Sequence, residues 1–325
     1  MPILNILLLS LMAIVFTGCS DTPDHKYQAT DKGIISATIG TKARLAAFSS
    51  STASSAVIDL HSQTTLFNIT EPQANQKSVQ SIKFNKNASI LVATEKKHVK
   101  VIKTSSGKTL LDFELPFTAN ALNVNDSGSK ILVGLVNGQA LLVDIDRQQT
   151  LQVFEHGDTI NSVAISHDDL YVLTGGDNNK VIVWDPKNGK KIHQIVTPSR
   201  VTQVAFSAKN DFFITACTYN YVRLYDTRSG NLKHTLNTPK VSINALKFSE
   251  DGQYLALGVM PQQIQLWQIN GKPTKLQTWT LAKPSFWKPT ATLVYALGFD
   301  FKNNYLLAID TQGYVTWWYY PFTLT

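Results

Sequence analysis

The side chains best suited to chemistry in this chain are two cysteines, seven histidines and several acidic pairs. The histidines show neither the i, i+4 pairing nor the CxxC spacing of zinc sites; they are residues 25, 61, 98, 156, 167, 193 and 234. Acidic pairs such as Asp168-Asp169 and Glu250-Asp251 stand between strand-like segments, where they favour turns over acid–base work. No GxSxG elbow or glycine-rich phosphate loop follows a strand and opens a helix. We therefore predict no catalytic residue, no metal site and no cofactor.

Cys19 has a distinctive context. It follows an apolar run over residues 3–16, ILNILLLSLMAIVF, and two small residues, Thr17 and Gly18. A helix needs roughly 20 apolar residues to cross a bilayer, so this run is short and has the length of a signal-peptide centre. Small residues before Cys19 allow a peptidase close to the backbone, and only a thiol can form a thioether. These residue types suit cleavage before Cys19 and a thioether on its sulfur.

The segment Phe16-Thr17-Gly18-Cys19 resembles the lipobox of bacterial lipoproteins. This resemblance implies that residues 1–18 are a signal peptide, that Cys19 carries a diacylglyceryl thioether, and that residues 19–26 form a tether. Two or three acyl chains anchor a protein well, since each buried methylene contributes about 0.8 kcal/mol. By the sorting rule of that family, Ser20 implies the outer membrane, facing the periplasm. A plain signal peptide or a short N-terminal anchor is the alternative.

Cys217 is the other thiol, and it ends an apolar stretch that begins at Phe212. Free cysteines in such stretches are usually buried and inert, so we predict no reactive role. One hidden thiol also suits a chain exported to an oxidising compartment.

The composition points to an all-β protein. Hydrophobic residues make up 43% of the chain, aromatic residues 10% and charged residues only 16%, which argues for a folded core and against disorder. Thr, Ser, Asn and Val occur throughout, as strands and turns require. The net charge of +7 is spread along the chain, so we interpret it as a solvated basic surface, with an anionic membrane as the next candidate. We predict no nucleic-acid partner.

The chain after the tether repeats itself about every 41 residues. The clearest unit spans Ile160 to Ile195 and contains four short apolar segments separated by turn residues. One position in the third segment recurs in all seven units; we place it at Leu60, Ile102, Val143, Trp184, Tyr225, Trp267 and Trp317. Its last spacing is 50, because a loop at residues 283–289 is enlarged. Seven units cover residues 27–325.

These units resemble the WD40 family, most closely at the Trp184-Asp185 dipeptide. The resemblance implies a seven-bladed β-propeller of four-stranded antiparallel blades. It also implies a structural hydrogen-bonded chain in one blade, formed by His156, Thr174, Asn178 and Trp184. The other blades lack most of these residues, so we expect apolar packing to hold them.

A ring also solves the problem of unpaired strand edges, because stacked sheets leave only short outer edges exposed. The last unit ends soon after its third strand. We therefore predict that residues around Tyr27 to Thr30 supply the missing outer strand.

In the WD40 family, the loops from the second to the third strand and those between blades share one face. We predict that this face binds a protein partner; its candidate residues are Lys97, Asp177, Arg200, Tyr219, Asn220, Phe286 and Trp287. Phe286 and Trp287 lie in the enlarged, Pro-bounded loop and suit an interface anchor. The alternative is that this loop folds back and plugs the ring or covers the last blade.

The sequence thus predicts a monomeric lipoprotein of the bacterial cell envelope that binds protein partners and is not an enzyme. Two alternatives stay open. One is an accessory factor of outer-membrane assembly, by analogy of architecture alone. The other is an enzyme or small-ligand receptor that uses the central channel of the propeller.

Overall fold

The computed structural model describes residues 22–52, 54–70, 78–219, 221–282 and 292–322. Within these ranges the chain forms 28 β-strands, one 3-10 turn at Thr41–Ala43 and no α-helix. The strands are β1 (His25–Gln28), β2 (Ile34–Ile39), β3 (Leu45–Ser50), β4 (Ser55–Asp59), β5 (Thr64–Thr70), β6 (Ser81–Phe84), β7 (Ile90–Glu95), β8 (His98–Lys103), β9 (Lys108–Glu114), β10 (Ala119–Val124), β11 (Lys130–Leu135), β12 (Gln139–Asp144), β13 (Gln149–Glu155), β14 (Ile160–Ile165), β15 (Val172–Gly176), β16 (Lys180–Trp184), β17 (Lys191–Val196), β18 (Val201–Phe206), β19 (Phe212–Cys217), β20 (Arg223–Asp226), β21 (Leu232–Thr235), β22 (Ile243–Phe248), β23 (Tyr254–Val259), β24 (Gln263–Gln268), β25 (Thr274–Thr280), β26 (Val294–Asp300), β27 (Tyr305–Asp310) and β28 (Tyr314–Tyr319).

The strands pair into seven four-stranded antiparallel sheets. Six sheets consist of four consecutive strands, and we number them blades 1 to 6 from β2–β5 to β22–β25. Blade 7 contains β26, β27 and β28 together with β1. The first strand of each blade contacts the first strands of both neighbouring blades, so the sheets close into a ring around a central channel. The predicted seven-bladed propeller is confirmed.

The N-terminal strand completes the last blade. β1 pairs antiparallel with β28, with His25 opposite Trp317 and Tyr27 opposite Val315. The predicted strand around Tyr27 to Thr30 lies two residues earlier, at His25–Gln28, because Ala29 and Thr30 turn away and bond the carbonyl of Gly313. The Tyr27 hydroxyl also donates to the Gln63 carbonyl of blade 1 at 3.1 Å.

The register of the third strands corrects the sequence interpretation at two blades. In blade 4, Trp184 lies opposite Val172, and the equivalent pairs by strand register are Ile58 with Ala46 in blade 1 and Trp318 with Leu306 in blade 7. The recurring position is therefore Ile58 and not Leu60, and Trp318 and not Trp317. A shift of one residue exchanges the two faces of a strand, and Trp318 is 1% exposed whereas Trp317 is only partly buried.

Apolar side chains fill the space between neighbouring blades. The layer between blades 3 and 4, for example, combines Leu132, Leu142 and Phe154 of one with Val163 and Ile182 of the other. In blade 6 the Trp267 Nε1 donates to Gln265, and in blade 7 the Trp318 Nε1 donates to Thr316. The expectation of apolar packing alone in these blades is therefore incomplete.

Polar side chains join neighbouring blades at the channel, where the first strand of each sheet has an unpaired edge. The Ser36 hydroxyl accepts from the Ile82 amide at 3.2 Å, and the Ser162 hydroxyl accepts from the Val204 amide at 3.0 Å. The Asn120 side chain donates to the Ile160 carbonyl at 3.0 Å. These contacts satisfy backbone groups that no strand covers.

Candidate functional site

Blade 4 contains a hydrogen-bonded chain of four side chains. The Trp184 Nε1 donates to Thr174 Oγ1 at 2.8 Å, and Thr174 Oγ1 is 2.8 Å from His156 Nδ1. His156 Nε2 is 3.0 Å from Asn178 Oδ1, while the Asn178 amide donates to the His156 carbonyl. Since the Asn178 oxygen accepts, the imidazole carries its proton on Nε2 and accepts the Thr174 hydroxyl proton on Nδ1.

Burial controls the protonation of His156. The residue is 3% exposed, and its desolvation lowers the pKa of the imidazole below the ordinary value. The hydrogen bond to Asn178 opposes this effect only in part. A neutral, fixed imidazole suits a structural role and leaves no proton available to a substrate.

Cys217 is buried at 1% exposure, as its apolar context predicts. It packs among Val201, Val204 and Phe213, and burial raises the pKa of its thiol. A protonated and inaccessible thiol has no nucleophilic role.

The turns between second and third strands lie on the same face as the loops between blades, and we name this the upper face. Hydrogen bonds join the two kinds of loop: the Thr218 amide donates to the Arg200 carbonyl, and the Asp177 amide donates to the Thr159 carbonyl, at 2.9 and 3.0 Å. These bonds hold the loops to each other, so the upper face forms a rigid surface and its loops do not move independently.

Three of the predicted binding residues lie together on the upper face of blades 4 and 5. Arg200 Nε is 3.7 Å from Asp177 Oδ1, with side-chain exposures of 56% and 36%. Asp177 also accepts from the Asn161 amide at 2.6 Å, which holds its carboxylate in place. Tyr219 adjoins Arg200 through the Thr218 bond and is 72% exposed.

Two further residues extend this group toward blade 6. The Lys240 ammonium lies 5.1 Å from the centre of the Tyr221 ring, a cation–π contact. We name Asp177, Arg200, Tyr219, Tyr221 and Lys240 the blade 4–6 surface. Arg200, Tyr219 and Lys240 are exposed and Asp177 and Tyr221 are half-buried. The set combines one carboxylate, two cations and two aromatic rings, which is a composition found at protein interfaces.

Tyr219 has a backbone conformation that its residue type disfavours. Its φ is 52°, in the left-handed region. The corresponding turns of other blades also contain a positive-φ residue, namely Lys96, Gly138, Asn179, Gln262 and Gly313, but in blades 3, 4, 6 and 7 it stands one position later in the strand register than Tyr219 does. A bulky residue at positive φ costs of order 1–3 kcal/mol and persists where the surroundings or a function require it.

The remaining predicted binding residues are not part of this group. Lys97 is exposed on the upper face of blade 2, separated from the blade 4–6 surface by blade 3. Cys19, Asn220, Phe286 and Trp287 lie outside the described residues. Within those residues, no helix is long and apolar enough to cross a membrane.

The central channel contains two lysines that the sequence analysis missed. Residues of all seven first strands line a cavity of about 450 Å³, and Lys83 of β6 and Lys247 of β22 are among them. Most other lining residues of these strands are neutral. A sequence signal existed, because lysine stands inside a first strand where other units have threonine, asparagine, alanine or glycine. The described part of the chain holds no cluster of three His, Cys, Asp or Glu side chains suited to a metal.

The fold and these sites define the chain as a seven-bladed β-propeller. Two segments, residues 148–185 and 189–226, match the family described as WD domain, G-beta repeat. Each begins near the outer strand of one blade and ends with the third strand of the next, so a sequence repeat straddles two blades.

A solved propeller has the same architecture over the whole chain. The structure titled "Crystal Structure of Mitotic Checkpoint Complex" contains a chain with a TM-score of 0.79 and 14% identity, covering 98% of this chain and 99% of that one. At that identity the likeness shows the fold alone. No curated protein sequence matches this chain.

Proposed function

We propose that this chain is a lipid-anchored protein of the bacterial cell envelope whose propeller binds a protein partner through the blade 4–6 surface. The observation that carries the proposal is Tyr219. This residue is 72% exposed, its backbone has a positive φ, and it lies beside the Arg200–Asp177 ion pair. Exposed tyrosine and arginine on a rigid support are the residue types that dominate binding energy at protein interfaces.

The comparisons support the binding part of this proposal. Propellers with WD repeats commonly act as platforms for protein partners, and two repeats of this chain match that family. The similar solved propeller belongs to a mitotic checkpoint complex, as its title states. A fold hosts many functions, so the named residues and not the fold carry our choice of surface.

The anchoring part depends on the sequence around Cys19. An apolar run of signal-peptide length precedes Thr17-Gly18-Cys19, and residues 20–26 are mostly polar. The first described strand begins at His25, so a short tether would hold the propeller close to the membrane. The resemblance to a bacterial lipobox, with Ser20 after the cysteine, favours the outer membrane, with the propeller in the periplasm.

The anchor is tested by fractionation of cells that express the wild type or Cys19→Ser. We expect the wild type in the membrane fraction, labelled by radioactive palmitate, and the variant in the soluble fraction without label. Cys217→Ser is the matched control and should keep the label. A wild type without the palmitate label, or a Cys19→Ser protein that keeps it, would overturn the lipid anchor but not the binding surface.

The binding surface is tested by crosslinking and pull-down from detergent-solubilised envelopes of the native host. Wild type, Tyr219→Ala and Arg200→Ala serve as baits, and Phe286→Ala/Trp287→Ala tests the enlarged loop. Tyr319→Ala is the control, because Tyr319 is also exposed, at 51%, but lies at the end of β28 away from this surface. We expect one partner that is recovered with the wild type and the control and lost with Tyr219→Ala and Arg200→Ala. Equal recovery with all baits would exclude the blade 4–6 surface.

Replacement of Tyr219 by glycine should separate stability from function. Glycine tolerates positive φ, so Tyr219→Gly should raise the free energy of unfolding by up to about 1 kcal/mol while it weakens partner binding at least about tenfold. Denaturant unfolding measures the first effect and titration with the recovered partner the second. A stabilised variant with full binding would mean that the exposed ring has no role in the interface.

A further inference from the structure

Strand pairing places one residue of each first strand at an equivalent register position beside the central channel. This residue is the fifth of six first strands and the third of the shorter β6; the members are Thr38, Lys83, Asn123, Ala164, Ala205, Lys247 and Gly298. We name this the lysine layer. All of these except Gly298 line the cavity of about 450 Å³.

Lys83 and Lys247 come from nearly opposite sides of the ring. Lys83 belongs to blade 2 and Lys247 to blade 6, with blades 3, 4 and 5 between them on one side. Ala164 and Ala205 fill the lysine layer in blades 4 and 5, so short side chains leave space in front of the two ammonium groups.

Neither ammonium group has a partner in the described part of the protein, where no carboxylate lies within 4.0 Å and no hydrogen bond reaches either lysine. Lys83 faces channel water, yet the walls surround it and desolvation lowers its pKa to about 8, with repulsion from Lys247 as a second cause. Desolvation also lowers the pKa of Lys247, and attraction from the Glu250 and Asp126 carboxylates opposes it only in part. Neither ammonium group has a carboxylate in direct contact to offset its desolvation, and an anion bound between them would supply that negative charge.

The other polar groups at this level leave donors available as well. The Asn123 Oδ1 accepts from the Ile165 amide at 3.2 Å, which leaves the Asn123 NH₂ with no recorded partner among the described residues. Two side-chain amides nearer the upper face are used between blades: Asn161 donates to the Val201 carbonyl and Gln203 to the Asn244 carbonyl. The lysine layer keeps hydrogen-bond donors for a ligand.

The channel mouth on the lower face, opposite the upper face, carries charges that largely balance each other. Asp126 accepts from Lys86 at 3.0 Å and lies 2.8 Å from His167 Nδ1, and these two partners offset the burial of its carboxyl group, so that its pKa is lowered. Glu250 lies at the same mouth and attracts Lys247 from a distance. The excess of positive charge thus lies within the channel and not at its mouth.

We propose that the central channel binds a small anion with at least two negative charges, held between Lys83 and Lys247 with Asn123 as a further donor. The chemistry suits a tetrahedral oxyanion, such as a phosphate group, or a compact polycarboxylate. The inference is independent of the proposed partner surface, which lies on the upper face of blades 4 to 6.

Isothermal titration with sulfate, inorganic phosphate and citrate, at constant ionic strength, tests this site. Acetate is the control ligand, because it carries a single charge. The proteins are the wild type, Lys83→Gln, Lys247→Gln and the double variant, with Lys108→Gln as the control for an exposed lysine on an outer strand. We expect saturable binding of at least one multivalent anion to the wild type and to Lys108→Gln, with no comparable binding of acetate.

Each channel substitution should weaken that binding at least about tenfold, and the double variant should abolish it. Preference for phosphate and sulfate would identify an oxyanion site, and preference for citrate a polycarboxylate site. Thermal unfolding is the second readout: the anion should raise the melting temperature of the wild type and not that of the double variant. The site is overturned if no multivalent anion binds the wild type at millimolar concentration, or if the double variant binds as well as the wild type.

Lys83 should make sulfate binding depend on pH. Binding should weaken from pH 7 to pH 9 as the Lys83 ammonium, with a pKa of about 8, loses its proton. The charged and titratable groups that face it around the cavity are Lys86, Asp126, His167, Lys247, Glu250 and Tyr295. The part of the pH dependence that comes from Lys83 should be absent in Lys83→Gln, and an identical profile in both proteins would contradict the assignment.

Discussion

At the scale of single residues, His156 joins three parts of blade 4: the loop before β14, the second strand and the turn before the third strand. Thr174 and Trp184 are buried at 0% and 3% exposure, so their polar atoms depend on this chain for partners. Buried polar groups left without partners cost about 1–3 kcal/mol each. The imidazole is one of several groups that fix the turn at Asp177 and Asn178, together with the Asp177 amide bond to Thr159 and the Asn161 bond to the Asp177 carboxylate.

We expect His156→Ala to lower the free energy of unfolding by about 2–3 kcal/mol, because Thr174 and Asn178 lose their shared partner. His61→Ala is the control, since His61 is exposed in the turn after β4 and should change stability by less than about 0.5 kcal/mol. Denaturant unfolding of the purified propeller measures both. A loss below about 0.5 kcal/mol for His156→Ala would mean that the hydrogen-bonded chain of blade 4 contributes little to stability.

The same residue makes stability depend on pH. The pKa of His156 is lower in the folded protein than in the unfolded chain, where it is about 6.5, so the unfolded chain binds the proton more readily. The stability that the neutral His156 contributes to the folded protein is fully present above pH 6.5 and is lost as the pH falls below that value. The wild type should therefore lose more stability than His156→Gln between pH 7 and pH 5, measured by unfolding at each pH. Parallel curves would show that His156 does not titrate in this way.

At the scale of elements, neighbouring blades fit by matching large residues with small ones. The second strands of blades 3, 4 and 6 each contain a glycine that packs against the β-branched first residue of the next blade. The pairs are Gly134 with Ile160, Gly175 with Val201 and Gly258 with Val294. A β-carbon at Gly175 would lie 2.5 Å from Val201 Cγ1. In blade 2 the large and small residues are exchanged. Thr94 stands where blades 3, 4 and 6 have glycine, and the first residue of blade 3 is the small Ala119.

Substitution of Gly175 by alanine should therefore destabilise the propeller by about 1–3 kcal/mol, because blade 5 must move to accept the methyl group. In a double-mutant cycle, Val201→Ala should reduce the cost of Gly175→Ala, since it removes the clashing methyl groups. Gly271→Ala is a useful comparison, because no atom lies within 4 Å of its β-carbon and its cost comes only from its positive φ. Additive effects at Gly175 and Val201 would contradict a direct contact.

At the scale of the whole molecule, the ring is closed by β1, a strand of four residues that lies almost 290 positions from its partner in the chain. Besides the pairing with β28, the Lys26 ammonium lies 3.5 Å from the centre of the Tyr314 ring, and the Asp24 carboxylate accepts from the Tyr319 amide at 2.8 Å. The terminal strand covers the six-residue edge of β28 and leaves the shorter, four-residue β1 as the outer edge of blade 7, which offers less backbone for pairing with another chain. Closure by β1 also places the proposed lipid tether directly before the strand that holds the ring together.

Replacement of residues 25–28 by Gly-Pro-Gly-Pro should abolish this pairing. We expect the melting temperature to fall by several degrees, since a loss of about 1 kcal/mol lowers it by roughly 2–4 °C in a domain of this size or slightly smaller. We also expect association at high concentration through the exposed edge of β28, measured by light scattering. Replacement by Thr-Val-Thr-Val keeps the backbone pairing and should keep the wild-type behaviour. An unchanged melting temperature and a monomeric Gly-Pro variant would show that the ring is stable without β1.

The sequence by itself determined the repeat, the all-β class and the seven blades, because strand alternation and turn residues are local signals that recur about every 41 residues. It also identified His156, Thr174, Asn178 and Trp184, since these residues follow the pattern of a known repeat. The assignment of the third strand was wrong at Leu60 and Trp317, the two blades that flank the point of closure, where the pattern is weakest.

Only the tertiary structure decided what lies across the ring. Arg200 and Asp177 meet although they are 23 positions apart, and Lys83 and Lys247 share a cavity although they are 164 positions apart. Local sequence patterns indicate which face of a strand is buried, but they do not indicate which blades lie opposite each other or how wide the channel is. Those relations arise when seven sheets close into a ring, a condition that acts on the whole chain at once.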